Sequence, residues 1–372
     1  MNTCMYFFLP GHEDKEANSV EQTKGGSHSG VTARKRSYKW WLLMAFYAFI
    51  VLAGQSAATL LGRLYYDKGG KSKWMATLVQ PAGFPVLIPL YYLSSYKTST
   101  QNTSCSNMIN PPSLLVLLAM YITLGVLVAA SSLLFSVGLL YLPVSTYTLI
   151  CASQLAFNAC FSFFLNSEKF TPFIINSLVL LTISSTLLVF QNNSSGSTAA
   201  SKGKYVIGFV CTIAASAGYG LNLSLSQLCF QRILKKQTFK VVLEMIIFPS
   251  LVATLVILVG FFASGDWKSV GAEMEGFKLG KVSYVNILVW IAIAWQVFSI
   301  GSVGLIFEVS SVFSNVISTL GIPTVPVLAM VFFHDQMTGI KVISMLLAIW
   351  GFVSYVYQHY LDDRKSKTTA KV

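Results

Sequence analysis

No charged residue and no histidine occurs in the stretch SLLVLLAMYITLGVLVAASSLLFSVGLLYLPVSTYTLICASQLAFNACFSFFLNS (Ser113–Ser167). Because about 20 apolar residues cross a bilayer as a helix, this stretch is long enough for two membrane helices, and Pro143 is the expected break between them. A second run, from Tyr284 to Phe333, has the same character except for one carboxylate, Glu308. These two runs predict an all-α integral membrane protein.

The composition of the whole chain supports this prediction. Of 372 residues, 54% are hydrophobic and 11% are charged, whereas a soluble domain has about 25% charged residues. The formal net charge is +12, but the basic residues flank apolar runs, where they set topology and contact lipid headgroups. We therefore expect the lipid bilayer, and no nucleic acid, as a partner. The six cysteines lack metal-ligand spacing, so neither a cofactor nor a metal site is predicted.

Ten apolar segments predict ten transmembrane helices in two inverted five-helix repeats. Laying the first half on the second places Gln55 on Asn222 and Glu168 on Asp335, and an odd number of helices per half gives the halves opposite orientations. The expected organisation is a disordered cytosolic tail (1–38), the first repeat (39–195), the second repeat (203–361) and a cytosolic C-terminal tail (362–372). The predicted helices lie near Trp40–Leu61, Met75–Tyr92, Ser113–Leu140, Val144–Leu165, Phe173–Phe190, Tyr205–Phe230, Val241–Ala263, Tyr284–Phe307, Val309–Phe333 and Val342–Tyr360.

The distribution of Lys and Arg predicts that both termini are cytosolic. Glu308 then lies at the cytosolic turn between the eighth and ninth helices. One interpretation is an acid favoured by the dipole of the ninth helix, and the other is a proton-coupling group at the inner mouth of a transport pathway. Glu244, near the cytosolic end of the seventh helix, is the second proton-coupling candidate. Glu168 and Asp335 are interpreted as structural loop acids.

Four long motifs carry a resemblance to a known family. They are STYTLICASQLAFNACFSFFLNSEKFTPFIINSLVLLTISSTLLVFQ (Ser145–Gln191), WMATLVQPAGFP (Trp74–Pro85), FEVSSVFSNVISTLGIPTVPVLAMVFFHDQM (Phe307–Met337) and KVISMLLAIWGFVSYVYQHYL (Lys341–Leu361). From about Trp40 to Leu361 the chain resembles the plant purine permeases, a family within the drug/metabolite transporter superfamily. The resemblance implies a transporter, with uptake of purine nucleobases and adenine-derived cytokinins driven by protons. The expected location is the plasma membrane.

The residues themselves favour a neutral or weakly charged substrate. No Lys or Arg lies in the middle of an apolar run, which argues against a phosphorylated substrate because a buried phosphate needs a cation. The runs instead carry amides, and an amide offers both a donor and an acceptor, as the N6/N7 edge of adenine does. The alternative is that each amide only bonds a neighbouring helix. The candidate substrate-binding amides are Gln55, Gln80, Gln154, Asn158, Asn222, Gln296 and Asn315.

Depth within the membrane ranks these candidates. Gln154 and Asn158 are four residues apart and share a helix face, near the expected midplane of the fourth helix. Trp295 and Gln296 lie near the midplane of the eighth helix, and the Trp295 ring is a candidate for stacking on a planar base. Pro81 and Pro85 are expected to free backbone carbonyls in the second helix, which must then be bonded again or line a cavity.

Two alternatives remain open at this stage. A transporter of this type can carry another small neutral or weakly charged metabolite, such as an alkaloid or a vitamin, and a membrane receptor need not transport at all. An enzyme is not expected, because the chain has no HExxH or GxSxG motif and no Asp/His/Cys cluster.

Overall fold

The computed structural model describes residues 38–101, 113–142, 147, 150–151, 153–168, 171–190, 199–234 and 238–321. It also describes 339–340, 342–343, 346–347, 349–354, 357–358 and 361. The predicted tails other than Tyr38, the Pro143 break and Asp335 lie outside the described residues.

The described residues form helices and no strand, which confirms the all-α prediction. The helices include α1 (Tyr38–Asp67), α2 (Lys73–Ala82), α3 (Ile88–Gln101), α4 (Leu114–Tyr141), α5 (Gln154–Asn166), α6 (Pro172–Phe190), α7 (Ala199–Cys229), α8 (Phe239–Ser264), α9 (Val270–Glu275) and α10 (Lys281–Glu308). Residues 311–321 make a further helix, α11. A 3-10 turn, Phe84–Leu87, joins α2 to α3, and a π-helical turn, Phe230–Leu234, extends α7.

Six helical stretches within the described residues are long and apolar enough to cross a membrane. Large apolar side chains cover their outer surfaces: Leu115 is 78% exposed and Val259 is 70% exposed, as expected for side chains that face lipid. The chain is therefore an integral membrane protein, while the count of ten helices and the inverted repeat stay predictions. The six stretches are Tyr38–Asp67, Lys73–Ser94, Leu114–Tyr141, Gly203–Leu234, Phe239–Ser264 and Lys281–Glu308.

Helices α1 and α10 approach each other closely through glycines. A Cβ atom on Gly54 would lie 2.7 Å from the Phe298 backbone nitrogen and 2.9 Å from the Ala294 carbonyl oxygen. One on Gly301 would lie 2.6 Å from the Val51 side chain. Small residues allow such backbone contact between membrane helices. This contact fixes the depth of α10 relative to α1.

The predicted second helix is divided in the structure. Helix α2 ends at Ala82, and the 3-10 turn containing Pro85 separates it from α3. Pro85 has no N–H, and its ring disfavours the α conformation in the residue before it. The break lies inside the apolar span Lys73–Ser94, so the backbone carbonyls that it frees are buried in a low-dielectric region.

The segment between α8 and α10 folds onto the turn between α1 and α2. The Glu273 carboxylate accepts hydrogen bonds from the Tyr65 hydroxyl, from the Tyr284 hydroxyl at 3.1 Å and from the Ser72 N–H at 2.9 Å. Phe277, 4% exposed, packs against the rings of Tyr65 and Tyr284. This carboxylate therefore joins the ends of α1 and α10 on one membrane face. The sequence did not indicate this role for Glu273.

Candidate functional site

Gln296 bonds the backbone that the prolines free in the second span. Its Nε2 donates to the carbonyl oxygen of Gln80 at 3.2 Å and to that of Pro81 at 3.4 Å. Pro85 lacks the N–H that would bond the Pro81 carbonyl in a continuous helix, so the expectation that a freed carbonyl is bonded again is confirmed at Pro81. Because carbonyl oxygens only accept, the opposite placement of the amide would set oxygen against oxygen, and the contacts fix the orientation of the amide.

The other end of the Gln296 amide is different. The side chain is 2% exposed, and its Oε1 has no hydrogen-bond partner among the described residues. Buried polar atoms are normally bonded, so each exception requires a reason. A ligand with an N–H group would satisfy this oxygen.

Asn315 repeats the same arrangement on α11. Its Nδ2 donates to the Gln154 carbonyl oxygen at 3.1 Å, so its Oδ1 is also fixed as an acceptor. Asn315 is fully buried, and Oδ1 has no partner in the described part of the chain. Gln154, 6% exposed at the start of α5, therefore positions Asn315 through its backbone.

The two acceptors lie at different depths. A hydrogen bond of 3.0 Å between the hydroxyls of Ser302 and Ser314 places the start of α11 beside Ser302 on α10. Gln296 is six residues farther than Ser302 from Glu308, the last residue of α10. Six residues correspond to about 9 Å at ~1.5 Å per residue. The acceptors of Gln296 and Asn315 thus lie at different levels along α10.

Gln55 and Asn222, which the predicted internal repeat pairs, supply two further buried amide oxygens without partners among the described residues. Gln55 follows Gly54, the residue that contacts α10 next to Gln296, and a Cβ on Gly321 of α11 would lie 3.3 Å from Gln55 Oε1. Gln55 therefore lies between α10 and α11. Asn222 is half-buried on α7.

Gln80 contributes through both its backbone and its side chain. Its carbonyl oxygen holds Gln296, as described above, and its Nε2 donates to the Ser136 hydroxyl on α4 at 3.3 Å. Gln80 therefore links α2, α4 and α10 around the break in the second span.

The predicted stacking residue, Trp295, packs next to α1. Its ring lies edge-on to Phe298, with ring centroids 5.4 Å apart, and it contacts the buried cluster of Val51 and Phe298. The sequence did not single out Tyr219, whose ring contacts the same cluster and lies 6.4 Å from that of Phe135 on α4. Aromatic rings from both α7 and α10 therefore contact this cluster.

Asn158 has both amide atoms engaged by protein groups. Its Nδ2 donates to the Ser311 carbonyl oxygen at 3.0 Å, and its Oδ1 accepts from the Ser224 hydroxyl at 2.8 Å. The Ser162 hydroxyl lies 3.0 Å from that of Ser224 and 2.8 Å from that of Ser311. In this structure Asn158 joins α5, α7 and α11, and it lies at the beginning of α11 rather than beside Trp295.

The two predicted proton-coupling acids lie near helix ends. Glu308, the last residue of α10, accepts a hydrogen bond from Trp40 Nε1 at 3.1 Å. Glu244 on α8 accepts from the Tyr91 hydroxyl at 3.3 Å and lies 3.9 Å from the Lys240 ammonium. Each acid thus links two helices, and neither contacts Gln296 or Asn315 in the part of the chain that the structure describes.

Three comparisons with known proteins agree with this architecture. Residues 42–365 match a family whose description is purine nucleobase transmembrane transport. Probable purine permease 10 of Arabidopsis thaliana is 57% identical over 97% of this chain and 92% of its own length. Purine permease 21 of the same plant is 58% identical over the same shares of the two chains. A solved crystal structure of a protein is similar in fold, with a TM-score of 0.52 and 14% identity, over 82% of this chain and 97% of that one.

Proposed function

The chain belongs to the purine permease family of purine nucleobase transporters, and on this premise we propose that it is a secondary active transporter, coupled to protons, that imports purine nucleobases and adenine-derived cytokinins. It is a transporter and not an enzyme. The proposal includes ten transmembrane helices in two inverted halves, both termini in the cytosol and a location in the plasma membrane.

The observation that carries the substrate assignment is the pair of oriented acceptors, Gln296 Oε1 and Asn315 Oδ1. Each amide has its N–H end held by a backbone carbonyl and its oxygen buried without a donor among the described residues. An adenine-like base carries N–H donors at its 6-amino group and on its five-membered ring. Two acceptors separated along the pathway are suited to hold such a base at both ends.

The remaining candidate residues take supporting roles in this proposal. Gln80 and Gln154 position the two acceptors through their backbone oxygens, and Gln55 and Asn222 offer additional acceptors. Trp295 is the candidate for stacking on the base, and Asn158 fixes the beginning of α11 on the inner side of the site.

The site has no charged group among its unpartnered atoms. Within the described residues, every buried side-chain atom without a partner belongs to an amide or a hydroxyl. A phosphorylated purine would leave its charge unpaired there, at a cost of several kcal/mol. We therefore propose neutral bases and cytokinins as substrates, with Glu308 and Glu244 as candidates for proton coupling.

Uptake into proteoliposomes of the purified protein tests the proposal. Labelled adenine should accumulate against its gradient when the outside is acidic, and unlabelled purine bases and cytokinins should compete, whereas adenosine monophosphate should not. Absence of adenine uptake, in vesicles that retain folded protein, would overturn the proposed function. Equal accumulation with and without a pH gradient would overturn proton coupling alone.

A further inference from the structure

One acid outside the proposed coupling pair lies within the polar contacts that hold α11. Glu168 follows α5, and its N–H donates to the Ser162 carbonyl oxygen at 3.4 Å. Its carboxylate accepts a hydrogen bond from Gln227 Nε2 at 2.9 Å and another from the Ser310 hydroxyl. Gln227 is 4% exposed and belongs to α7. A half-buried carboxylate thus connects α5, α7 and the residue that precedes α11.

The two donors to Glu168 also hold the first turn of α11. Gln227 Oε1 accepts from the Ser311 N–H at 2.7 Å, and the Ser310 hydroxyl oxygen accepts from the Phe313 N–H at 3.2 Å. These N–H groups belong to the helix N-terminus, where no intrahelical acceptor exists. Glu168 therefore fixes the orientation of the two groups that cap α11.

The start of α11 leads directly to the substrate site. Ser311 accepts from Asn158 through its backbone, and Asn315 lies one helical turn farther along the same helix. A displacement of the first turn would move Asn315, whose oxygen is one of the two proposed acceptors. The hydrogen bonds of Glu168 therefore help to set the position of Asn315, a proposed substrate acceptor.

The surroundings of Glu168 suit a group that binds and releases a proton. Burial raises the pKa of its carboxyl, and the hydrogen bonds from Gln227 and Ser310 oppose that effect. Protonation removes the negative charge near the N-terminus of α11 and weakens both bonds, because charge-assisted hydrogen bonds are the stronger ones. The raised pKa means that the proton binds at a higher pH than it does for an exposed glutamate.

The charged residues near these elements are few. Glu308 precedes Ser310 by two residues and is bonded to Trp40. Arg232, at the end of α7, is exposed, and Lys169 lies outside the described residues. Among the described residues, no charged side chain contributes to the shift at Glu168.

We propose that Glu168 is a proton-binding group of the transport cycle: its ionised form holds the first turn of α11 through Gln227 and Ser310, and its protonated form releases that turn. The proton adds to a carboxylate oxygen and later leaves to water, with no other bond made or broken. This inference rests on the proposed proton-coupled function, and it adds to the candidates Glu308 and Glu244 an acid that the sequence alone marks as a loop residue.

The test compares Glu168→Gln with the wild type in proteoliposomes that contain a pH-sensitive dye. Wild-type vesicles should acidify when adenine is added outside and should accumulate labelled adenine when the outside is acidic. Glu168→Gln should lose both signals and still exchange labelled for unlabelled adenine across a membrane without a pH gradient. Glu275→Gln is the matched control, since Glu275 is an exposed acid paired with Lys281 and should behave as the wild type.

The outcomes are distinguishable. Wild-type pH dependence in Glu168→Gln would overturn this inference and leave the proposed function intact, whereas a wild-type protein that does not move adenine would overturn the proposed function. If Glu168→Gln does not fold, Glu168→Asp decides. It should remain coupled with a shifted midpoint in the pH profile of uptake, and an unshifted profile would overturn the inference.

Discussion

Replacement of Gly54 by alanine tests the contact between α1 and α10. The new Cβ would lie 2.7 Å and 2.9 Å from backbone atoms of Phe298 and Ala294. These distances are shorter than real Cβ contacts, and a backbone atom cannot rotate away. The two helices must separate, and overpacking of this kind costs about 1–3 kcal/mol. The higher helix propensity of alanine returns only ~0.5–1 kcal/mol.

Gly62→Ala in the same helix is the control for this prediction. A Cβ on Gly62 would have no atom within 4 Å, so only the gain in helix propensity applies, about 0.5–1 kcal/mol. The two variants should therefore shift the apparent melting temperature in detergent in opposite directions, downward for Gly54→Ala and upward for Gly62→Ala. Equal shifts of the same sign would refute the close approach of α1 and α10.

Three further predictions concern the acids and the topology. Glu308→Gln should reduce the accumulation of adenine while the dissociation constant changes by less than a few-fold; accumulation at the wild-type rate would leave Glu308 as a capping acid. Glu273→Ala removes the acceptor of three donors and should lower the free energy of unfolding by about 1–3 kcal/mol. Glu275→Ala removes only an exposed ion pair with Lys281 and should change it by about 0–1 kcal/mol. Thermal unfolding of both variants checks this prediction, and equal losses would contradict it. Any glycan found by mass spectrometry should lie at the overlapping Asn-x-Ser sequons that begin at Asn192 and Asn193, in the loop predicted to be external, and a glycan at Asn102, in the loop predicted to be cytosolic, would reverse the predicted orientation.

Much of the architecture follows from the sequence, because a bilayer imposes long apolar helices. The described helices α4, α8 and α10 begin and end within a few residues of the predicted bounds. The proline motif likewise indicated the broken second span and the need for new partners for its carbonyls. Gln296, which bonds the backbone at this break, was predicted as a substrate-binding residue. Both roles are compatible, because one buried amide can bond the backbone through its nitrogen and leave its oxygen for a ligand.

Depth estimated along one helix did not indicate the contacts of Asn158. Rise per residue placed it near the expected midplane, and its bonds to Ser311 and Ser224 place it beside the first turn of α11. Spacing along one helix does not determine which level of a neighbouring helix lies beside it. For the same reason the sequence did not indicate that Gln227 holds Ser311 and Glu168.

The acids Glu168 and Glu273 were not recognised from the sequence because both lie outside the apolar runs. Their partners come from elements 59 and 208 residues away along the chain. Such pairs arise only when the fold brings distant turns together, and a single sequence has no pattern that records them.

If Gln296 and Asn315 present the acceptors that hold a purine base, equilibrium binding of labelled adenine to purified variants should show it. Gln296→Ala and Asn315→Ala should each leave a ligand N–H unpaired, which costs about 1–3 kcal/mol and weakens binding roughly five- to a hundred-fold. Asn286→Ala, an exposed amide on the same helix as Gln296, should bind as the wild type. If both site variants fold and bind adenine with wild-type affinity, the two amides only join helices and the base binds elsewhere.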